Sequence, residues 1–298
     1  MLNETFLIDD LSNLPKDEVG LAVLGCPIKH SVSPLLHNAA LAILAEKESS
    51  FRLWAYRKIE VLPSDLGSAL PKLAELGFRG LNLTIPHKVD VLSLLPSIDE
   101  QARAMGAVNT LNLEKGEWRG YNTDGLGLSR AIFQAFKKQM QEFNILVLGA
   151  GGAARAAVAQ SIFEGCSRVA VFNRSVDRAI ELCQALRKNG INQDIELLES
   201  IKNPFSGSQE PTLVINATSL GLQLDDPSPI DLSLLSDNIY VFDMVYNPPV
   251  TNLLRQANDR GCPWVNGLGM LVGQAAKSLE IWTGREVSAE AMSQAVQT

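Results

Sequence analysis

The chain has 298 residues, 46% hydrophobic and 20% charged, a balance that argues for globular folding and against disorder, and its length suits two domains rather than one small core. Its formal net charge is -7 and no block of consecutive Lys or Arg interrupts it, so nucleic acid and membrane surfaces are disfavoured as partners. Cys26, Cys166, Cys183 and Cys262 stand far apart without a CxxC pair, which predicts reduced, mostly buried thiols; His30, His37 and His87 form no ligand set with them, and no metal site is expected. The acidic N-terminus lacks the charged-then-apolar order of a signal peptide, and no apolar run nears the ~20 residues of a membrane helix, so the expected location is the cytoplasm.

Residues 1–18 read as an N-terminal extension. GLAVLG at 20–25 predicts a buried strand, and Ser33 as N-cap with Pro34 at the first helical position opens a helix over 33–47. FRLWAYR at 51–57 alternates like a strand, the segment after Ser64 is helical despite Pro71, and RGLNLTIP at 79–86 returns to strand. Such alternation indicates a mainly parallel α/β sheet. Residues 109–125 predict a hairpin turning at Lys115-Gly116, which leads into a helix from Gly125 with Asp124 as its N-cap. From Asn144 the alternation restarts: NILVLG, a helix, RVAVF, a helix, then strands TLVINA at 212–217 and IYVFDM at 239–244. Residues 201–211 read as a loop, 267–284 as one amphipathic helix, and a short helix closes the chain.

Gly149, Ala150, Gly151, Gly152, Ala153 and Ala154 follow a strand and open a helix, giving G-x-G-x-x-A in the context that a dinucleotide site requires. The glycines permit a tight turn and let backbone N–H groups approach a pyrophosphate at the helix N-terminus. The next strand ends in Asn173, Arg174 and Ser175, where an NAD enzyme carries an acid for the ribose 2′-OH; Arg178 follows one turn later. Guanidinium forks suit a 2′-phosphate, which favours NADP over NAD, the plainer alternative being solvated surface charges.

HSVSPLLHN (30–38), NLTIPHK (82–88), GAVNTL (106–111), YNTDG (121–125) and GMLVGQA (269–275), taken with GAGGAAR and NRS, closely resemble the shikimate dehydrogenase family in order and spacing, from about Gly20 to Gly284. The resemblance implies an α/β fold of two domains: an α/β substrate-binding and catalytic domain over residues 1–124, a Rossmann-like NADP-binding domain over 125–266, and C-terminal helices over 267–298 that pack back on the substrate domain. It implies reversible NADPH-dependent reduction of 3-dehydroshikimate to shikimate, on the route to chorismate and the aromatic amino acids, by a monomer or homodimer.

Reduction of a ketone needs a proton at oxygen as hydride reaches carbon, and a Lys near a carboxylate supplies it. By the resemblance Lys88 and Asp124 are that dyad; the plain readings are an exposed Lys at a helix start and a helix N-cap. The resemblance further gives Ser31 and Ser33 to the substrate carboxylate, with Tyr246 near it, and Asn82, Thr84, Asn109 and Gln274 to the ring hydroxyls. Ser33 capping its helix and Gln274 on a polar helix face are the structural alternatives. On the cofactor side it places Thr218 beneath NADP, Met244 and Gly267 beside the nicotinamide, and Glu100 near the cofactor. His37 reads as structural, His87 as a neighbour of Lys88, and His30 as a turn residue. Rival readings are a quinate/shikimate dehydrogenase of relaxed specificity, an amino-shikimate variant, and a non-catalytic NADP-binding regulator.

Overall fold

The computed structural model describes residues 4–13, 15, 17–201 and 204–296. Residues 1–3, 14 and 16 of the expected N-terminal extension, 202 and 203 of the 201–211 loop, and 297 and 298 at the C-terminus lie outside the described residues. The chain divides into two compact units, one made of Met1–Arg103, Ala107–Thr123 and Val272–Thr298, the other of Ala104–Gly106 and Asp124–Leu271. No helix among the described residues is long and apolar enough to cross a membrane. All four cysteines are free thiols, three of them buried, as their spacing predicts.

The first unit contains β1 (Thr5–Phe6), β2 (Val19–Gly25), α1 (Ser33–Lys47), β3 (Trp54–Glu60), α2 (Leu66–Glu75), β4 (Phe78–Leu83), α3 (His87–Asp90), β5 (Ser97–Ile98), β6 (Thr110–Glu114) and β7 (Glu117–Tyr121), with α4 (Glu100–Met105) running out of it. The described strands make a seven-stranded sheet in the order β1-β3-β2-β4-β6-β7-β5. The sheet is mainly parallel, as expected, with β6 antiparallel to its neighbours β4 and β7; the two-residue turn between β6 and β7 permits no crossover and makes that pair a hairpin. That turn has φ of 53° at Lys115 and 87° at Gly116, the doubly positive geometry of a tight hairpin, as the sequence predicts. Leu24, Ile59, Leu73, Phe78, Leu81 and Leu111 form the centre of its core.

Three local expectations shift. Residues 49–53 form a 3-10 turn that tucks Phe51 inward, and the strand starts at Trp54, where pairing with Val19 of β2 begins. Ser33 is the first residue inside α1, with Val32 at the cap and no side-chain capping bond; the Ser33 N–H is met instead by the Ser31 hydroxyl at 3.4 Å. The helix expected from Gly125 begins at Asp124 itself.

The second unit holds α5 (Asp124–Phe136), β8 (Asn144–Leu148), α6 (Gly152–Phe163), β9 (Val169–Phe172), α7 (Val176–Lys188), β10 (Ile195–Leu198), β11 (Thr212–Asn216), β12 (Ile239–Asp243), α8 (Asn252–Asp259) and β13 (Trp264–Asn266). Its described strands pair in parallel in the order β10-β9-β8-β11-β12-β13, so the order reverses beside β8, the switch point at which doubly wound sheets bind ligands. Fully buried Ala154, Ala156, Ala157 and Ala159 let α6 lie close on the sheet. α9 (Leu268–Thr283) starts in this unit, and its later turns belong to the first, followed by α10 (Ala289–Ala295). There Trp282 donates its indole N–H to the Leu111 carbonyl at 2.9 Å and lies against Gly80, where any Cβ would strike the ring.

Candidate active site

In the first unit, the polar residues singled out by sequence sit at strand ends and helix starts. Ser31 and Ser33 pair through their hydroxyls at 3.2 Å at the N-terminus of α1. Thr84 follows β4, and its N–H donates to the Leu24 carbonyl at 3.0 Å. Lys88 lies half-buried in α3, and its carbonyl accepts the Val108 N–H at 2.8 Å, which pins that turn to the segment before Asn109.

Asn82, Asn109 and Gln274 come together in one buried network. The Asn82 amide oxygen accepts the Tyr56 hydroxyl at 2.8 Å, and its nitrogen donates to the Asn109 carbonyl, Thr110 Oγ1 and Ser278 Oγ at 3.1, 3.1 and 3.0 Å. The Asn109 Oδ1 accepts the Thr123 backbone N–H at 2.8 Å, a bond that fixes which way the amide points. Its Nδ2 therefore faces Thr123 Oγ1 at 2.9 Å and Gln274 Oε1 at 3.4 Å. Ser278, one turn beyond Gln274, lies 2.8 Å from Thr110 Oγ1 and donates to the Gln274 carbonyl at 3.0 Å. Sequence reasoning missed Tyr56, Thr110, Thr123 and Ser278; only Ser278 carried a local signal, its i+4 spacing from Gln274 on one helix.

His37 takes the structural role expected of it, and His87, expected only as a neighbour of Lys88, is held by the fold as well. His37 is fully buried and stacked on Tyr56 with ring centroids 4.0 Å apart, and burial pulls its pKa down to about 3. His87 is buried and bonds the Val61 carbonyl through Nε2 at 2.9 Å, which makes Nε2 the protonated nitrogen; burial lowers its pKa, so it stays neutral. Glu100 opens α4 as an exposed residue.

In the second unit, Asp124 is 4% exposed at the start of α5, directly after the Thr123 held by Asn109. The glycine-rich turn follows β8: Gly149 has φ of 115°, and a Cβ there would fall 2.9 Å from the Ala217 carbonyl oxygen, so glycine is required twice over. Gly151 caps α6 with open space around it, while Ala150, Gly152 and Ala153 are half-buried, leaving the helix's first N–H groups accessible to an anion. Phe172 of β9 pairs with Leu148 of β8, so Asn173, Arg174 and Ser175 leave the sheet on the edge that Gly149 leaves. Asn173 Nδ2 donates to the Ser175 carbonyl at 2.8 Å, and Arg174, Ser175 and Arg178 are exposed.

Thr218 follows β11, and its hydroxyl donates to Asn216 Oδ1 at 2.7 Å. Met244 follows β12 with its N–H on the Asn216 carbonyl at 3.0 Å, and Gly267 follows β13 with its Cα packed against the Met244 carbonyl, leaving no room for a side chain. Tyr246 is half-buried, and burial raises its pKa. The cofactor-side residues of this unit thus share the C-terminal edge of one parallel sheet. Exposed N–H groups and two guanidinium groups there fit a phosphorylated dinucleotide.

Comparison with known proteins covers most of the chain. Residues 23–111 match the shikimate dehydrogenase substrate binding domain, 129–226 the shikimate/quinate 5-dehydrogenase family, and 267–297 the shikimate 5'-dehydrogenase C-terminal domain. A shikimate dehydrogenase (NADP(+)) from Citrifermentans bemidjiense is 42% identical over 264 residues, covering 88% of this chain and 89% of that one. Among solved structures, shikimate 5-dehydrogenase from Thermus thermophilus in complex with NADP(H) and shikimate superposes with a TM-score of 0.80 at 32% identity, covering 94% of this chain and 98% of that one. Quinate dehydrogenase from Corynebacterium glutamicum in complex with NAD gives a TM-score of 0.82 at 28% identity, covering 94% and 99%.

Proposed function

The chain belongs to the shikimate dehydrogenase family, and on that premise we propose that it catalyses the reversible NADPH-dependent reduction of 3-dehydroshikimate to shikimate in aromatic amino-acid biosynthesis. The observation that carries the cofactor half of this reading is the pairing of β8 with β9, which aligns the open glycine turn at 149–153 with Arg174 on one sheet edge. In this reading residues 1–124 bind substrate and carry Lys88, residues 125–266 bind NADP, and residues 267–298 return to the substrate part with Gln274. The enzyme works in the cytoplasm as a monomer or homodimer.

NADPH supplies the hydride when bound. The N–H groups of Ala150, Gly151, Gly152 and Ala153 would hold the pyrophosphate, and Arg174, Ser175 and Arg178 with Asn173 would take the 2′-phosphate. Thr218, Met244 and Gly267 would hold the nicotinamide end, and Glu100 is a further candidate cofactor residue. Lys88 Nζ donates a proton to the ketone oxygen in reduction and recovers it from the alcohol in oxidation, with Asp124 as the carboxylate of the acid–base dyad. Ser31, Ser33 and Tyr246 receive the ring carboxylate; Asn82, Thr84, Asn109 and Gln274 receive the hydroxyls. A neutral pocket of this kind rejects rings with the wrong stereochemistry, since a buried amide left unpaired costs about 1–3 kcal/mol.

A quinate dehydrogenase is the second reading, favoured by the likeness to the NAD-bound quinate enzyme. Arg174 in place of an acid and the retained serine pair at 31 and 33 weigh against it. Mixing the protein with shikimate or quinate and NADP or NAD, and following reduced-cofactor absorbance, separates the readings. Shikimate with NADP is expected to be the preferred pair; comparable turnover of quinate overturns the substrate assignment, and no turnover with any pair returns the chain to a binding role.

A further inference from the structure

The register of the second sheet sets Asn216, Asp243 and Asn266 side by side as the last residues of β11, β12 and β13. Each binds the loop that leaves its neighbourhood. Asn216 accepts both the N–H and the hydroxyl of Thr218, at 3.1 and 2.7 Å, and donates to the Leu220 carbonyl at 3.1 Å. Asn266 donates to the Pro249 carbonyl at 3.0 Å and accepts the Leu268 N–H at 3.2 Å.

Asp243 lies between them, fully buried. Its Oδ1 accepts Asn216 Nδ2 at 2.9 Å and the Val245 N–H at 3.0 Å, and its Oδ2 accepts the Thr251 hydroxyl at 2.6 Å. That hydroxyl in turn caps α8 by accepting the Leu254 N–H at 3.3 Å. Both carboxylate oxygens therefore act as acceptors only, the pattern of the ionised group, and the 2.6 Å contact is of charge-assisted length. Burying a carboxylate costs several kcal/mol even after relaxation, and burial raises the pKa of this one. Such a cost is understandable where the charge fixes a geometry. The geometry here is that of Met244, Val245 and Tyr246, which follow directly, and of Gly267, whose N–H donates to the Val245 carbonyl at 3.2 Å.

We propose that Asp243 is the positioning residue of the cofactor-binding edge: its carboxylate ties the ends of β11 and β12 to the start of α8, and so holds Met244 and Gly267 in place for the nicotinamide end of NADPH. The inference rests on the NADPH reading above and adds a residue that touches neither substrate nor cofactor.

Direct binding tests it without turnover, using NADPH fluorescence and, as a probe that lacks the nicotinamide, adenosine 2′,5′-bisphosphate. Asp243→Ala is expected to weaken NADPH by about tenfold and leave the bisphosphate within about twofold, with Asp243→Asn, which keeps one acceptor oxygen, within about threefold of wild type for both. If Asp243→Ala does not fold, Thr251→Val removes one donor at similar volume and is expected to weaken NADPH by about threefold with the bisphosphate unchanged. Equal losses for the two probes, or none in any variant, overturn the proposal and leave Asp243 a plain fold residue. Failure of the unmodified protein to bind either probe is a different result, which removes the NADPH reading itself.

Discussion

The two units solve opposite recognition problems with different chemistry. In the first, the amides of Asn82 and Asn109 and the hydroxyls of Thr110, Thr123 and Ser278 are buried and mutually bonded before any ligand arrives. In the second, the groups proposed for the cofactor phosphates are open: Gly151, Arg174 and Arg178 are exposed, while Asn216 and Asp243 are buried at the ends of β11 and β12. A ring that differs from its analogues by one hydroxyl has to be read by rigid neutral groups whose mismatch is costly. A polyanion is bound by charge and by helix N–H groups that tolerate water until it docks. On the proposed assignment specificity rests on rigidity in one unit and on charge in the other, and substitutions in the two units should fail in different ways.

The sharpest contrast is between chemistry and binding. Asp124→Asn keeps the shape of a residue that is 4% exposed and is expected to lower kcat by roughly 10²–10⁴-fold with a small change in shikimate KM. A KM effect larger than the kcat effect, in steady-state assays, makes Asp124 a binding residue instead. Next in size is cofactor choice. Arg174→Asp sets a carboxylate against the 2′-phosphate and is expected to reduce the NADPH-over-NADH preference by about 10–100-fold, read as a ratio of kcat/KM values. An unchanged ratio returns Arg174 to the solvated surface.

In the first unit the expected penalty falls on stability as well as on substrate. Ser278→Ala removes a hydroxyl bonded around Asn82 and Thr110 and is expected to cost about 1–3 kcal/mol in denaturant unfolding, with a rise in shikimate KM and no change in NADPH KM. A rise in both KM values contradicts the division between the units.

A smaller effect concerns pH. His37 titrates at about 3 in the folded protein against 6.5 ordinarily, so the folded state binds fewer protons than the unfolded chain between those values. Its contribution is therefore intact above pH 6.5 and is lost progressively as pH falls toward 3. His37→Phe, which retains a ring beside Tyr56, is expected to flatten that acid limb in unfolding measurements; an unaltered slope assigns the acid sensitivity to other groups.

Local chemistry explains what was legible beforehand. The glycine turn at 149–153, the Lys115-Gly116 hairpin and helix α9 each announce themselves within a few residues, because positive φ, a strand–helix junction and helical spacing are short-range demands. The polar network was half visible. Asn82, Asn109 and Gln274 stood out within motifs, whereas Thr110 and Thr123 are joined to Ser278 across more than 150 positions of sequence, a pairing that only the folded register creates. Asp243 hid for a related reason: one acid at the end of an apolar strand reads as a turn residue until Thr251 and Asn216 are brought to it. Boundaries slipped where two local signals competed, as at Ser33, where the Ser31 hydroxyl took over the bond expected of a cap.

Lys88 offers the most direct trial of the whole reading. Shikimate binding to Lys88→Ala can be measured by calorimetry and set beside the rate of NADPH formation in its first turnover. Affinity within a few-fold of the unmodified enzyme and a first-turnover rate lower by at least about a hundredfold are expected if its ammonium exchanges the proton at the ring oxygen. A first turnover at the normal rate means that the proton travels another way, and the assignment of Lys88 and Asp124 as the acid–base pair then fails.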